Sequence, residues 1–327
     1  MSVGIEDLPF RLDIEAARQT IAPYVRRTPV LRIPDMEEAW GTRMVLKLES
    51  LQVTGSFKVR GAANRILSLS RDEKKRGVVA CSSGNHGKAV AHVAGALKIP
   101  AVICVPSWVD PVKKEGMERS GATVILAGEN YDEAEARATA LAEEEERAFI
   151  QPFDDPWIAA GQGTLGLEML EDVPGLSTVL IPLSGGGLAG GVAYALKERR
   201  PEVRLVAVSA SRARVMYESL RAGHPLQMAE EETMAEALSG GIGITNRFTL
   251  PLIRELVDDH VLVEEEEIAD AMRYAMESLN LLLEGGGAVA LAAILARRWS
   301  PSSETDTEAT GVVLSGGNVS LERLESL

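Results

Sequence analysis

Glycine-rich loops that follow directly on apolar, β-branched runs are the feature that most limits how this chain can fold. The runs Met44-Val-Leu-Lys-Leu, Gly77-Val-Val-Ala, Ala101-Val-Ile-Cys-Val-Pro, Ala122-Thr-Val-Ile-Leu, Ser177-Thr-Val-Leu-Ile-Pro, Val203-Arg-Leu-Val-Ala-Val and Gly311-Val-Val-Leu alternate with amphipathic stretches. Strands separated by helices imply βαβ units and parallel sheets, hence an α/β fold. Three of the runs lead into small-residue loops: Cys81-Ser-Ser-Gly-Asn-His-Gly-Lys, Ser184-Gly-Gly-Gly-Leu-Ala-Gly-Gly and Leu314-Ser-Gly-Gly-Asn. A loop at the carboxyl end of a strand presents backbone N–H groups beside a helix N-terminus, where anions bind. Any one of them alone can equally be a tight turn.

The second loop contains Gly185-x-Gly187-x-x-Gly190, the spacing of a dinucleotide fingerprint. That fingerprint needs an acidic residue at the end of the next strand to hold a ribose hydroxyl. The next strand ends Val206-Ala-Val-Ser-Ala-Ser, without a carboxylate, so the loop reads as a cup for a single phosphate. Composition narrows the partners. With 327 residues there is room for about two domains, and a net charge of −14 argues against nucleic acid or an anionic membrane surface. Cys81 and Cys104 lack CxxC spacing, which suggests neither a disulfide framework nor a thiolate metal site and fits a reducing compartment. The N-terminal residues have no basic region ahead of an apolar core, so a cytoplasmic protein is expected. The uncharged stretch Thr178 to Leu196 is broken by Pro182, Ser184 and glycines and reads as strand, loop and helix, not as a membrane span. The polar stretch Trp299-Ser-Pro-Ser-Ser-Glu-Thr-Asp-Thr-Glu reads as a surface loop.

A fourth segment, Glu49-Ser-Leu-Gln-Val-Thr-Gly-Ser-Phe-Lys-Val-Arg-Gly-Ala, says what the phosphate belongs to. Lys58 stands where a turn becomes a helix, after the aromatic Phe57. A partly desolvated lysine amine forms a Schiff base with an aldehyde cofactor. Taken by itself the stretch is better explained by a helix cap at Thr54 or Ser56 and a surface lysine. Together with three anion-binding loops it points to a phosphorylated aldehyde.

Thr54-Gly-Ser-Phe-Lys-Val-Arg-Gly-Ala, Ser82-Ser-Gly-Asn-His-Gly, Gln151-Pro-Phe-Asp-Asp-Pro with Gly161-Gln-Gly-Thr, Ser184-Gly-Gly-Gly-Leu and Ser315-Gly-Gly-Asn occur in that order over nearly the whole chain. In this the sequence resembles the fold type II pyridoxal-phosphate enzymes of the threonine dehydratase and serine racemase family. The resemblance implies two three-layer α/β domains with parallel-rich sheets and pyridoxal 5'-phosphate in the cleft between them. Residues 1–77 and 155–327 would form the large domain and 78–154 the small one, in a homodimer acting on a hydroxyamino acid.

By position, Lys58 resembles the lysine that holds the cofactor and shuttles the Cα proton, and Phe57 the residue that covers the ring. Asn85 matches the partner of the phenolic oxygen. Ser82, Ser83, Gly84, Asn85 and His86 match the loop that grips the substrate carboxylate, and Ser83 also matches the second base of racemising relatives. Ser184, Gly185, Gly186, Gly187 and Leu188 match the phosphate cup, with Ser184 in place of a fourth glycine and its hydroxyl an additional donor. Ser315 matches the partner of the pyridine nitrogen. A neutral hydroxyl there supports a milder electron sink than a carboxylate, which favours β-elimination of water over transamination.

The implied activity is that of a hydroxyamino-acid dehydratase releasing a 2-oxo acid and ammonia. The alternatives are a 3-hydroxyaspartate or hydroxyectoine-derived amino acid as substrate, or racemisation. Ser209 and Val215 replace the family's usual cation ligands, so no metal is expected. Ser239-Gly-Gly-Ile-Gly and Glu284-Gly-Gly-Gly-Ala put glycine where relatives have side chains, which suggests space for a larger or doubly charged substrate. With Asn246-Arg-Phe-Thr-Leu these segments resemble the hydroxyectoine-utilisation branch. Arg247 is a candidate for a second substrate carboxylate, Arg60 for a structural role beside the lysine, and His92, His224 and His260 lack metal-ligand spacing.

Overall fold

The computed structural model describes residues 5–301, 308–325 and 327, and of Asp7 only the backbone. Most of the polar stretch between Trp299 and Glu308 therefore lies outside the described residues. The strands are β1 (Val30–Arg32), β2 (Arg43–Leu48), β3 (Val78–Cys81), β4 (Ala101–Val105), β5 (Thr123–Leu126), β6 (Ala148–Phe149), β7 (Leu176–Pro182), β8 (Arg204–Ala210), β9 (Asp259–Val263) and β10 (Ala309–Leu314). They form a six-stranded sheet in the order β1-β2-β10-β7-β8-β9 and a four-stranded sheet in the order β5-β4-β3-β6. Every pairing is parallel except that of β1 with β2. This is the α/β, parallel-rich architecture expected.

Parallel sheets are covered on both faces, and the strands show why. Val179, Ile181, Leu205, Ala207 and Val313 enter one apolar core. Their chain neighbours Leu180, Val206, Val208, Val312 and Leu314 enter another on the opposite face. The helices against these faces are correspondingly buried nearly all round: Gly285–Leu295 from Gly285 to Ile294, and Pro156–Asp172 from Ile158 to Met169. Asp155 starts the latter helix, its carboxylate accepting from Trp157 N at 2.7 Å and Ile158 N at 3.1 Å, with Pro156 at the first helical position. In the smaller sheet Val78, Ala80, Ile103 and Val105 face one core and Val79, Cys81, Val102 and Cys104 the other. Its strands lie between Val78 and Phe149, but its inner core also takes Ile21, Val59, Ala62, Ala63, Ile66 and Leu69. The helix Lys58–Ser68 thus packs under the smaller sheet while touching helix Pro156–Asp172 at a glycine crossing. A Cβ on Gly161 would come within 2.5 Å of Arg60 O and 2.7 Å of Gly61 Cα.

Arg60 fixes that helix from its other side. Its guanidinium is fully buried and hydrogen-bonds Glu49 through Nε and Nη2, both at 2.8 Å, and Glu168 through Nη1 at 2.7 Å and Nη2 at 3.0 Å. Thr164 Oγ1 and Arg26 O accept further bonds at 3.1 and 3.3 Å. Buried Lys47 completes the cluster through Glu168 at 2.7 Å and Thr28 O at 2.8 Å. Burial works against the Arg60 charge, but Glu49 and Glu168 outweigh it and raise its pKa. Glu49, equally buried, is held below the usual carboxylate range by Arg60. Removing one member leaves buried charge uncompensated. Arg60→Met is therefore expected to destabilise the protein by about 3–5 kcal/mol, read from its urea unfolding midpoint. A loss below about 1 kcal/mol, the worth of an exposed ion pair, would contradict this account.

Candidate active site

Four chain segments meet around Lys58. The first carries Lys58 itself, with Phe57 just ahead of the helix. Phe57 N donates to Ser315 O at 3.0 Å, and Ser56 forms a bridge with Gly316, so the lysine turn is sewn to the loop that follows β10. Lys58 Nζ lies 5.4 Å from the centroid of the half-buried Phe57 ring and donates to Pro152 O at 2.9 Å. Burial pushes the ammonium down to about 8, against the opposing charge of Glu284.

The second segment is the loop after β3. Ser82 and Ser83 are half-buried and Ser82 Oγ accepts from Gly84 N at 3.2 Å. The helix Asn85–Leu97 makes its first backbone bond from Lys88 N to Gly84 O, so the N–H groups of Asn85, His86 and Gly87 come ahead of its ladder. The His86 ring does not share that role. It is buried, its Nε2 meets Ile150 O at 2.8 Å, and burial together with Lys58 drives its pKa to about 3, so the ring is neutral and structural.

The third is the glycine loop after β7. Gly186 has φ +86° and caps the helix Gly187–Arg199, whose first backbone bond runs from Gly190 N to Gly186 O at 2.8 Å. The N–H groups of Gly187, Leu188 and Ala189 therefore precede the ladder, in the arrangement that binds an anion. A Cβ on Gly185 would lie 2.3 Å from the Phe153 ring, and one on Gly187 3.1 Å from Phe153 Cα. Ser184 departs from expectation: its hydroxyl donates to Leu238 O at 2.8 Å, so the additional donor faces a carbonyl and not the loop's interior.

The fourth segment follows β10, where buried Ser315 donates weakly to Gly286 O at 3.3 Å. Asn318 and Glu284, which the sequence reading did not select, complete the surroundings of Asn85. Asn85 Nδ2 donates to Glu284 Oε1 at 2.6 Å, and Asn318 Nδ2 donates to Asn85 Oδ1 at 2.6 Å. Burial pushes the Glu284 carboxyl up to about 7, with the Asn85 hydrogen bond pulling the other way. The sequence signal for Asn318 was the Ser315-Gly-Gly-Asn motif, and for Glu284 a carboxyl immediately before three glycines.

Those glycines do not open a substrate pocket. A Cβ on Gly285 would lie 2.0 Å from Met234 O, one on Gly287 2.1 Å from Gly316 O, and one on Gly286 3.2 Å from the Ala237 methyl. Gly285 and Gly287 are glycine because backbone approaches them, and Gly286 is packed against the Ala237 and Leu238 side chains. Around Gly241 and Gly243 there is open space. Arg247 is exposed, and its backbone N–H donates to Asp154 at 2.8 Å. Ser209 Oγ donates to Leu183 O at 2.8 Å and Val215 packs in the core. Among the described residues no group of three or more His, Cys, Asp and Glu is placed to hold a metal, and no helix is long and apolar enough to cross a membrane. Cys81 and Cys104 are in-register neighbours on β3 and β4, with burial raising both thiols.

A phosphate-binding helix start, a desolvated lysine beside an aromatic ring, a neutral hydroxyl and a fixed amide fit a phosphorylated pyridine aldehyde. The comparisons agree. The family model described as pyridoxal-phosphate dependent enzyme matches residues 21–316. A putative threonine dehydratase of Sinorhizobium fredii is 45% identical over 308 residues, 94% of this chain and 92% of the relative. The L-threonine ammonia-lyase of Thermotoga maritima is 38% identical over 315 residues, 96% of this chain and 77% of the relative. The structure of maize serine racemase superposes with a TM-score of 0.90 at 35% identity, covering 100% of this chain and 97% of that one.

Two opposed buried groups give the site a pH signature. Between pH 4.5 and about 7 the folded Glu284 keeps a proton that the unfolded chain releases, so stability falls as pH rises through that window. Between about 8 and 10.5 the unfolded chain keeps a Lys58 proton that the folded state has lost, so stability recovers. Glu284→Gln is expected to flatten the lower limb in denaturation of the cofactor-free protein, and an unchanged limb would place the titration elsewhere.

Proposed function

The chain belongs to the family of pyridoxal-phosphate-dependent enzymes, and from that membership we propose that it removes water from a β-hydroxy-α-amino acid of the threonine or serine type, releasing a 2-oxo acid and ammonia. The observation that carries the reading is Lys58, an amine between Phe57 and the Pro152 carbonyl and kept near 8, so that a usable fraction is unprotonated near neutral pH. The two curated relatives named for the dehydration or deamination of threonine support the substrate class.

Pyridoxal phosphate, when bound, supplies an electron sink that acidifies the substrate Cα–H. The residues supply the rest. The N–H groups opening helix Gly187–Arg199 would hold the phosphate, with Gly185 and Gly186 allowing close approach. Ser315 would offer the ring nitrogen a neutral hydroxyl, Asn85 would donate to the phenolic oxygen and Phe57 would cover one ring face. Ser82, Ser83 and the N–H groups from Gly84 onward grip the substrate carboxylate, with His86 contributing its backbone only. Lys58, once free of the cofactor, would take the Cα proton, and the proton so gained would go to the β-hydroxyl, which would leave as water.

The division into a large domain of residues 1–77 and 155–327 and a small domain of 78–154, a homodimer and a cytoplasmic location belong to the same proposal. The separate four-stranded sheet supports the first. The resemblance supports the homodimer, and the free cysteines Cys81 and Cys104 fit a reducing compartment.

Adding threonine, serine or threo-3-hydroxyaspartate to the holoenzyme should shift its cofactor absorption and release a 2-oxo acid from the true substrate. Lys58→Ala should lower turnover at least about 10³-fold. A protein that takes up no pyridoxal phosphate would overturn the reading. Ser83 stands in the carboxylate loop, so Ser83→Ala should spare elimination from the L-amino acid while abolishing any racemisation. Racemisation that persists in that variant removes Ser83 from the chemistry.

A further inference from the structure

One exposed lysine is tied to the centre of the candidate site by an unbroken line of hydrogen bonds. Lys88 Nζ donates to Asn318 Oδ1 at 2.7 Å. Asn318 Nδ2 donates to Thr54 O at 2.9 Å and to Asn85 Oδ1 at 2.6 Å. Asn85 Nδ2 then donates to Glu284 Oε1 at 2.6 Å. The line crosses from helix Asn85–Leu97, beside the smaller sheet, to the loop after β10 and back.

Each primary amide in this line is chemically two-ended, with an oxygen that accepts and a nitrogen that donates. Such a side chain can be turned end for end with little change of shape, so packing does not choose its direction. An ammonium does, because it donates only. Lys88 obliges Asn318 to present its oxygen outward, which puts the Asn318 nitrogen toward Thr54 O and Asn85. Asn85 must then answer with its oxygen, and its NH2 is turned inward. One of its two N–H groups goes to Glu284, and the other remains for the pocket. Thr54 O, a pure acceptor, supports the same direction.

We propose that Lys88 is a positioning residue, a donor-only cation outside the pocket that sets the direction of the Asn318 and Asn85 amides and so keeps a donor facing the cofactor's phenolic oxygen. The inference rests on the assignment of Asn85 to that oxygen in the function proposed above. It predicts that the identity of a surface side chain is read out inside the site. With the direction reversed, Asn85 would present its oxygen to the phenolic oxygen, acceptor against acceptor, and the bound cofactor would lose a hydrogen bond.

The test compares Lys88→Met, Lys88→Arg and Lys88→Glu with the wild-type protein, measuring the dissociation constant of pyridoxal phosphate and the balance of the bound cofactor's absorption bands at low and high salt. Lys88→Met should weaken binding about tenfold, the size of one charge-assisted hydrogen bond, and change the band balance. Lys88→Arg, still donor-only, should stay within about twofold of wild type, the scatter of an ordinary surface substitution. Lys88→Glu, an acceptor, should be the weakest binder. The differences should persist at 1 M salt, where an exposed charge acting through space is screened over about 3 Å. Lys88 is exposed, so the thermal midpoints of the cofactor-free variants should match. Wild-type affinity and spectrum in Lys88→Met, failure of Lys88→Arg to restore them, or collapse of the differences in salt would each overturn the inference while leaving the function standing. A wild-type protein that binds no pyridoxal phosphate overturns both.

Discussion

A guanidinium buried between two carboxylates holds the architecture to the chemistry. Arg60 lies two residues from Lys58 on the same helix, and 200° of helical rotation puts the two side chains on nearly opposite faces. While Lys58 faces Pro152, Arg60 reaches Glu49 beyond β2 and Glu168 in helix Pro156–Asp172. A lone charge at that depth would cost several kcal/mol, and the cluster is tolerable only because every member is answered. The lysine helix has little freedom to slide or turn, and its amine is placed by charges it never touches.

The short segment from Ile150 to Asp155 does the complementary work. Its carbonyls receive His86 and Lys58, its Phe153 ring lies against the phosphate-loop glycines, and its two aspartates start two helices. Asp154 accepts from Arg247 N, Phe248 N and Thr249 N at 2.8 to 2.9 Å, so the loop carrying Arg247 is set by the same few residues that set the lysine. Carbonyls, one ring and two carboxylates in consecutive positions bring the two sheets to one cleft.

Much of this was legible. Most of the β-branched runs became strands buried on both faces, which have an unambiguous composition, and β5 at the edge of the smaller sheet was read from its β-branched residues. The edge strands β1, β6 and β9 were not among them: two are only two or three residues long, and β9 begins Asp259-His260 at a partly exposed edge. Lys58, Asn85, the glycine loop and Ser315 stood in recognisable motifs and converge. Glu284 was passed over because its neighbouring glycines suggested vacancy, whereas backbone from Met234 and Gly316 fills that space. The Ser184 hydroxyl went to Leu238 O, a partner 54 positions away that no local pattern announces.

The division follows the range of the forces involved. Alternation of runs, glycine at tight turns and a lysine after an aromatic are local properties, so the sequence by itself determined the α/β class, the glycine loops after the strands and the lysine proposed as the cofactor's amine. Protonation and direction are non-local. The His86 ring is neutral because it is buried against Ile150 O, and Glu284 holds its proton to about 7 because the fold desolvates it. The orientation of Asn85 comes from contacts with Asn318 and Glu284, 233 and 199 positions away. Only the tertiary structure brings such groups within hydrogen-bonding distance and strips the water from around them, and desolvation and donor direction then decide which atoms carry charge and which carry protons.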